Sequence, residues 1–125
     1  MATVLVIDDE VSIRENLVRF LKLEGHATLE AADGRSGLEA VRTHKPDLIF
    51  CDVMMPYLNG FEVLSALQGD STLKQIPFVF LSASAEPEKL EAAMQQGASH
   101  YVTKPFNLAH LRDLLIKLLP VGTSL

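Results

Sequence analysis

The stretch "TVLVIDDE", residues 3–10, runs four apolar residues, Val4 to Ile7, straight into three carboxylates, Asp8, Asp9 and Glu10. A short, unbroken apolar run of this kind reads as a strand buried on both faces. Strands without polar alternation belong to parallel sheets covered by helices on either side. The carboxylates at its end need an account of their own. Like charges a few ångströms apart repel, and an unpaired buried carboxylate is costly. Either these side chains point into water, or a positive group sits among them.

Outward from this stretch, short apolar runs alternate with longer helical patterns. "SIRENLVRFLKLEG" places Ile13, Leu17, Phe20 and Leu21 at helical spacing, with Gly25 as its stop. "ATLEAA" (27–32) is a weaker strand, and Asp33 can cap a helix running to about His44. "DLIFCD" (47–52) and "PFVFLSA" (77–83) are strong strands, and "SHYVT" (99–103) is a short fifth one. Helices are expected over Leu58–Gly69, over Glu86–Gln96 with Leu90, Ala93 and Met94 on one side, and over 106–119. Five strands alternating with five helices predict an α/β fold, a doubly wound five-stranded parallel sheet with right-handed crossovers. Such sheets carry their functional crevice at the carboxyl ends of the strands.

Composition narrows the function. The 125 residues suit one domain, and a net charge of −5 gives no support to nucleic-acid binding by this segment. No apolar stretch approaches the ~20 residues of a membrane span. A single cysteine, Cys51, permits no internal disulfide and fits a cytoplasmic location. Its place beside Asp52 reads as a buried small residue. His26, His44, His100 and His110 lack the close spacing of a zinc site.

The strand ends carry the chemistry. Strand 1 delivers Asp8 and Asp9, strand 3 Asp52, strand 4 Ser82, and strand 5 Thr103, Lys104 and Pro105. Taken alone, Asp8 and Asp9 would be a polar strand end, with Asp9 or Glu10 capping the first helix. With Asp52 and Lys104 on the same rim, a hard-cation site is the better reading, since oxygen ligands with water in the open positions suit Mg²⁺.

Four pieces, "IDDE", "CDVMMPYLNGFEVL", "LSA" and "YVTKPF", stand in order on these strands. Together they resemble the receiver domain of two-component response regulators, a resemblance covering residues 3 to about 119. It implies a flavodoxin-like (βα)5 fold with strand order 2-1-3-4-5. A receiver domain over residues 1–120 and a tail or linker start over 121–125 follow. The resemblance also implies roles. Asp52 is the expected phosphoacceptor. Mg²⁺ is expected on Asp9, Asp52 and the Met54 backbone carbonyl, with Asp8 acting through water. Ser82 is expected to donate to the phosphoryl group, and Lys104 to pair with it or with Asp52. The Lys104–Pro105 peptide is expected to be cis. Ser82 and Tyr101 are the expected switch pair, acting on the face built by the fourth helix, fifth strand and fifth helix. The partner would be a sensor histidine kinase or phosphotransfer protein. The output domain or downstream protein is open, and the chain would catalyse only its own phosphorylation and dephosphorylation. Met54 and Ser84, two residues past Asp52 and Ser82, are poor at positioning water, which predicts slow self-dephosphorylation.

Rival readings fit less well. An FMN carrier needs a phosphate loop where Asp8-Asp9-Glu10 stands. An aspartyl phosphatase similar to haloacid dehalogenases needs its nucleophile in an Asp-x-Asp pattern on strand 1. A pseudoreceiver would lack one of the key residues. Leu114, Leu119 and Val121 exceed one core-facing stripe and read equally as partner surface or covered helix edge. Leu114 and the Ser99-His100 pair also depart from the charged dimer face of OmpR-like receivers, so no dimer is expected through that face.

Overall fold

Alternate side chains of the three central strands feed two separate cores, which is why those three sequences are apolar almost without a break. The computed structural model describes residues 2–119. The expected tail at 121–125 and Val121 lie outside the described residues. The strands are β1 (Thr3–Ile7), β2 (Ala27–Ala31), β3 (Leu48–Asp52), β4 (Phe78–Ser82) and β5 (His100–Thr103). They pair in parallel in the order β2-β1-β3-β4-β5. The helices are α1 (Val11–Leu23), α2 (Gly34–His44), α3 (Gly60–Gln68), α4 (Pro87–Gln96) and α5 (Leu108–Leu118).

On one face Val4, Val6, Leu48, Phe50, Val79 and Leu81 pack with Leu17 and Leu21 of α1 and Leu111 and Leu115 of α5. On the other, Leu5, Ile7, Ile49, Cys51, Phe78 and Phe80 pack with Val41 of α2, Leu64 and Leu67 of α3 and Ala93 of α4. Burying each such side chain is worth roughly 1.5–3 kcal/mol, so the two layers dominate the stability.

Local signals place the helices. Asp33 caps α2 by accepting from the Ser36 N–H. Asn59 and Glu62 form a reciprocal capping box at α3, each accepting from the other's backbone N–H at 2.9 Å. α3 therefore starts at Gly60, not at Leu58 as its apolar pattern suggests. Gly60 needs to be glycine on steric grounds. A Cβ there would collide with the Asp52 carbonyl oxygen and come within 2.9 Å of the Phe80 ring.

Three features depart from the sequence reading. A single 3₁₀ turn, Leu73–Gln75, precedes β4 and buries Leu73. Helix α4 buries only Ala93, while Leu90 and Met94 remain 44% and 43% exposed. Its far end is tied instead by polar contacts. Gln68 Nε2 donates to the Gln96 carbonyl, and Gln96 Nε2 donates to the Phe61 carbonyl at 2.8 Å. Leu114 lies in the α1–α5 core at 3% exposure, and Leu119 packs against that core, so neither is a free partner surface. The large exposed apolar residues of α5 are Leu108 and Ile116.

Candidate functional site

The carboxyl edge of the sheet gathers the polar groups that the apolar strands cannot hold. β3 ends in Asp52, and the next backbone N–H, Val53, donates to Leu81 of β4 at 2.9 Å. The ladder also extends past β1, where Asp8 N–H donates to the Ala31 carbonyl. Asp8 and Asp52 are thus fixed by sheet hydrogen bonds and buried at 0% and 4% exposure. Lys104 arrives from β5, its N–H donating to the Ser82 carbonyl at 2.8 Å. The Lys104–Pro105 peptide is cis.

The Lys104 ammonium sits among three carboxylates, 3.0 Å from Asp8 Oδ2, 3.1 Å from Glu10 Oε1 and 3.4 Å from Asp52 Oδ1. The Asp8 contact has ion-pair distance but not hydrogen-bond alignment, so the buried Oδ2 has no hydrogen-bond donor. Asp8 Oδ1 instead accepts from the Glu10 N–H at 2.9 Å, which turns the loop. Arg14 of α1 braces that loop. Its Nη1 donates to the Asp8 carbonyl at 2.7 Å and its Nε to Glu30 of β2 at 3.3 Å.

Charge is unbalanced here. Burial pushes the Asp52 carboxyl up from 3.8 to about 7, the Asp8 charge adds to this, and Lys104 only partly opposes it. Burial would lower Lys104, but its contacts with Asp8 and Glu10 and the charge of Asp52 outweigh that and raise it. Carboxylate oxygens of Asp8, Glu10 and Asp52 lie within 4.8 Å of one another, a set that can hold a metal ion. An unsatisfied buried oxygen and a carboxyl strained toward protonation are what a divalent cation would relieve, so these residues fit a hard cation.

Glu10 is the member that sequence reasoning left out. It occupies the N-cap position of α1 but makes no side-chain cap bond, because its carboxylate turns to Lys104. Asp9 is exposed, and its carboxylate is not among the three that cluster, although its charge adds to the rise at Asp52. The Met54 side chain points to solvent at 68% exposure. Ser82 is buried, and its Oγ accepts from the Ser84 N–H at 3.0 Å. Tyr101 takes the inward position, 7% exposed, with its hydroxyl donating to the Ser84 carbonyl at 3.0 Å. Burial first, then the charges of Asp52 and Asp8, push the Cys51 thiol well up, which keeps it protonated and unreactive. A cavity of about 260 Å³ opens above these groups, lined by Glu10, Asp52, Ser82, Ser84, Lys89 and Lys104 among others. No helix among the described residues is long and apolar enough to cross a membrane.

Comparison with known proteins agrees with this layout. Residues 4–116 match the family model described as the response regulator receiver domain. The response regulator MprA of Mycolicibacterium vanbaalenii is 37% identical over 121 residues, covering 94% of this chain and 52% of that protein. The phosphate regulon transcriptional regulatory protein PhoB of Pseudomonas aeruginosa is 35% identical over 105 residues, covering 84% of this chain and 46% of that protein. The chain thus spans about half the length of the curated relatives it matches. Among solved structures, the chemotaxis response regulator CheY4 of Vibrio cholerae superposes with a TM-score of 0.88 at 36% identity, covering 95% of this chain and 99% of that chain. On the matched family, the identity of these relatives and the shared fold, the chain belongs to the receiver domains of two-component response regulators.

Proposed function

We propose that this receiver accepts a phosphoryl group on Asp52 from a phosphohistidine of a sensor histidine kinase or phosphotransfer protein, in the cytoplasm. The observation that carries the reading is the meeting of Asp52 with Lys104, Ser82 and the acidic loop of β1 at one cavity. An Asp52 carboxylate oxygen attacks phosphorus, the phosphorus–nitrogen bond breaks, and its electron pair stays on the donor imidazole. A carboxylate needs no base for this, so the work is positioning and charge neutralisation. Asp9, Asp52 and the Met54 carbonyl, with Asp8 through water, are the proposed holders of Mg²⁺. Glu10 joins Asp8 and Asp52 in the carboxylate cluster. The ion, when bound, supplies charge neutralisation between the two anions that must meet. Lys104 leaves its carboxylates to pair with the transferred group, and the Ser82 hydroxyl turns from accepting the Ser84 N–H to donating to a phosphoryl oxygen. That movement acts on the Ser84 carbonyl and so on Tyr101, shifting the face built by α4, β5 and α5.

Intact-mass measurement after incubation with acetyl phosphate tests this. Wild type should gain one phosphoryl group only with Mg²⁺ present, and Asp52→Asn should gain none. Wild type that stays unlabelled, or a variant that labels equally, would overturn the assignment.

A further inference from the structure

The cavity over Asp52 has one cation that the carboxylate cluster does not occupy. Lys104 is engaged by Asp8, Glu10 and Asp52. Lys89, in the first turn of α4, is half-buried, lines the same cavity, and forms no ion pair with any described residue. It shares that cavity with Glu10 of the acidic loop and with Ser84, and α4 is the element that carries it there. Local backbone chemistry starts the helix just before it: Pro87 is its first residue, and the Lys89 N–H donates to the Glu86 carbonyl.

The charge balance gives this lysine a task. Asp8, Asp9, Glu10 and Asp52 bring four carboxylates to the rim, against one engaged ammonium. A divalent ion in the cluster would still leave the rim negative. A dianionic phosphodonor therefore meets repulsion on its way to Asp52 unless another cation faces it. We propose that Lys89 captures the incoming phosphodonor, its ammonium pairing with the dianionic phosphoryl group at the cavity mouth before Lys104 and Ser82 take that group over at Asp52. This rests on the phosphoacceptor reading of Asp52. Lys89 takes no part in bond making or breaking, so its effect belongs to donor binding.

Two measurements on the intact chain separate this role from a structural one. The first is the rate of labelling against donor concentration, with acetyl phosphate and with the less charged phosphoramidate. Lys89→Ala should raise the acetyl phosphate concentration for half-maximal rate by about 3–10-fold with little change in the maximal rate. Lys89→Glu should raise it further, Lys89→Arg should retain wild-type behaviour, and phosphoramidate should be affected less. The second is Mg²⁺ affinity of the unphosphorylated chain, read by thermal shift. Removing a cation beside an acidic cluster should tighten Mg²⁺ binding in Lys89→Ala, the opposite direction from its effect on the donor. A disturbed fold would weaken both. Wild-type labelling with unchanged donor dependence in Lys89→Ala, or Mg²⁺ and donor both weakened, would overturn the role of Lys89 alone. A wild type that takes no phosphoryl group would overturn the Asp52 reading and this inference with it.

Discussion

Lys104 Nζ stands 3.0 Å from Asp8, nearer than the 3.4 Å that separates it from Asp52. The ammonium is shared, with Glu10 taking a third contact at 3.1 Å. One cation divided among three carboxylates neutralises none of them fully, and this leaves Asp52 unfavourably ionised in the folded chain.

The consequence is a pH-dependent cost. Burial and the Asp8 charge push Asp52 from 3.8 to about 7 in the folded chain. Between those values the folded state holds a proton that the unfolded state has released. The stability from that proton is complete below the unfolded value and is lost as pH rises through about 7. Asp52→Asn removes the ionised form and should stabilise the chain by about 1–3 kcal/mol at about pH 8. The gain should shrink toward zero near pH 4. Urea unfolding at both pH values checks this, and a gain that does not depend on pH would contradict it.

Gly60 couples the strand that ends in Asp52 to α3. A methyl group there would collide with the Asp52 carbonyl oxygen and lie 3.1 Å from the Val53 Cα. Backbone atoms cannot step aside without moving Asp52 itself. Gly60→Ala should therefore destabilise by about 2–4 kcal/mol despite its better helix propensity. Its labelling by acetyl phosphate should fall as well. Thermal unfolding with parallel mass analysis would show both losses, and a stabilised, fully labelled variant would refute the argument.

Tyr101 is held inward by one directional bond, from its hydroxyl to the Ser84 carbonyl at 3.0 Å. The ring is otherwise packed near Phe80, centroid to centroid 6.4 Å. Tyr101→Phe keeps the packing and loses the bond, at a cost of about 1 kcal/mol. The ring should sample outward positions more often. Fluorine NMR on a fluorinated ring at this position would read the two populations. An unchanged population in the Phe variant would mean that packing alone holds the ring.

Decay of the acyl phosphate should be slow. Met54 has a thioether with no strong acceptor, and Ser84 Oγ already accepts from the Glu86 N–H at 3.2 Å. Neither offers the carboxylate or amide that would hold an attacking water well toward phosphorus. Loss of the label after donor removal, followed by intact mass, should take minutes or longer, and Ser84→Glu or Met54→Asn should shorten it. Wild-type decay within seconds would run against this.

Much of the molecule is legible in its sequence. The unbroken apolar runs at Val4–Ile7, Ile49–Cys51 and Val79–Leu81 announce strands buried on two faces, and Asp33 and Gly25 mark helix ends by local backbone chemistry. Strand alternation also put Asp8, Asp52, Ser82 and Lys104 on one edge, because in a parallel sheet every carboxyl end points the same way. What the sequence could not decide depends on contacts between residues far apart in the chain. Glu10 looks like a helix cap, and only the arrival of Lys104, 94 positions later, draws its carboxylate into the site. Leu114 looks like surplus on a helix, and only the packing of α5 against α1 buries it. Lys89 looks like any helix lysine until α4 is set beside Asp52. Local propensity and periodicity act over a few residues and are written in the chain. The partner of a charge, and the side of a helix that meets a neighbour, are set only when the layers close.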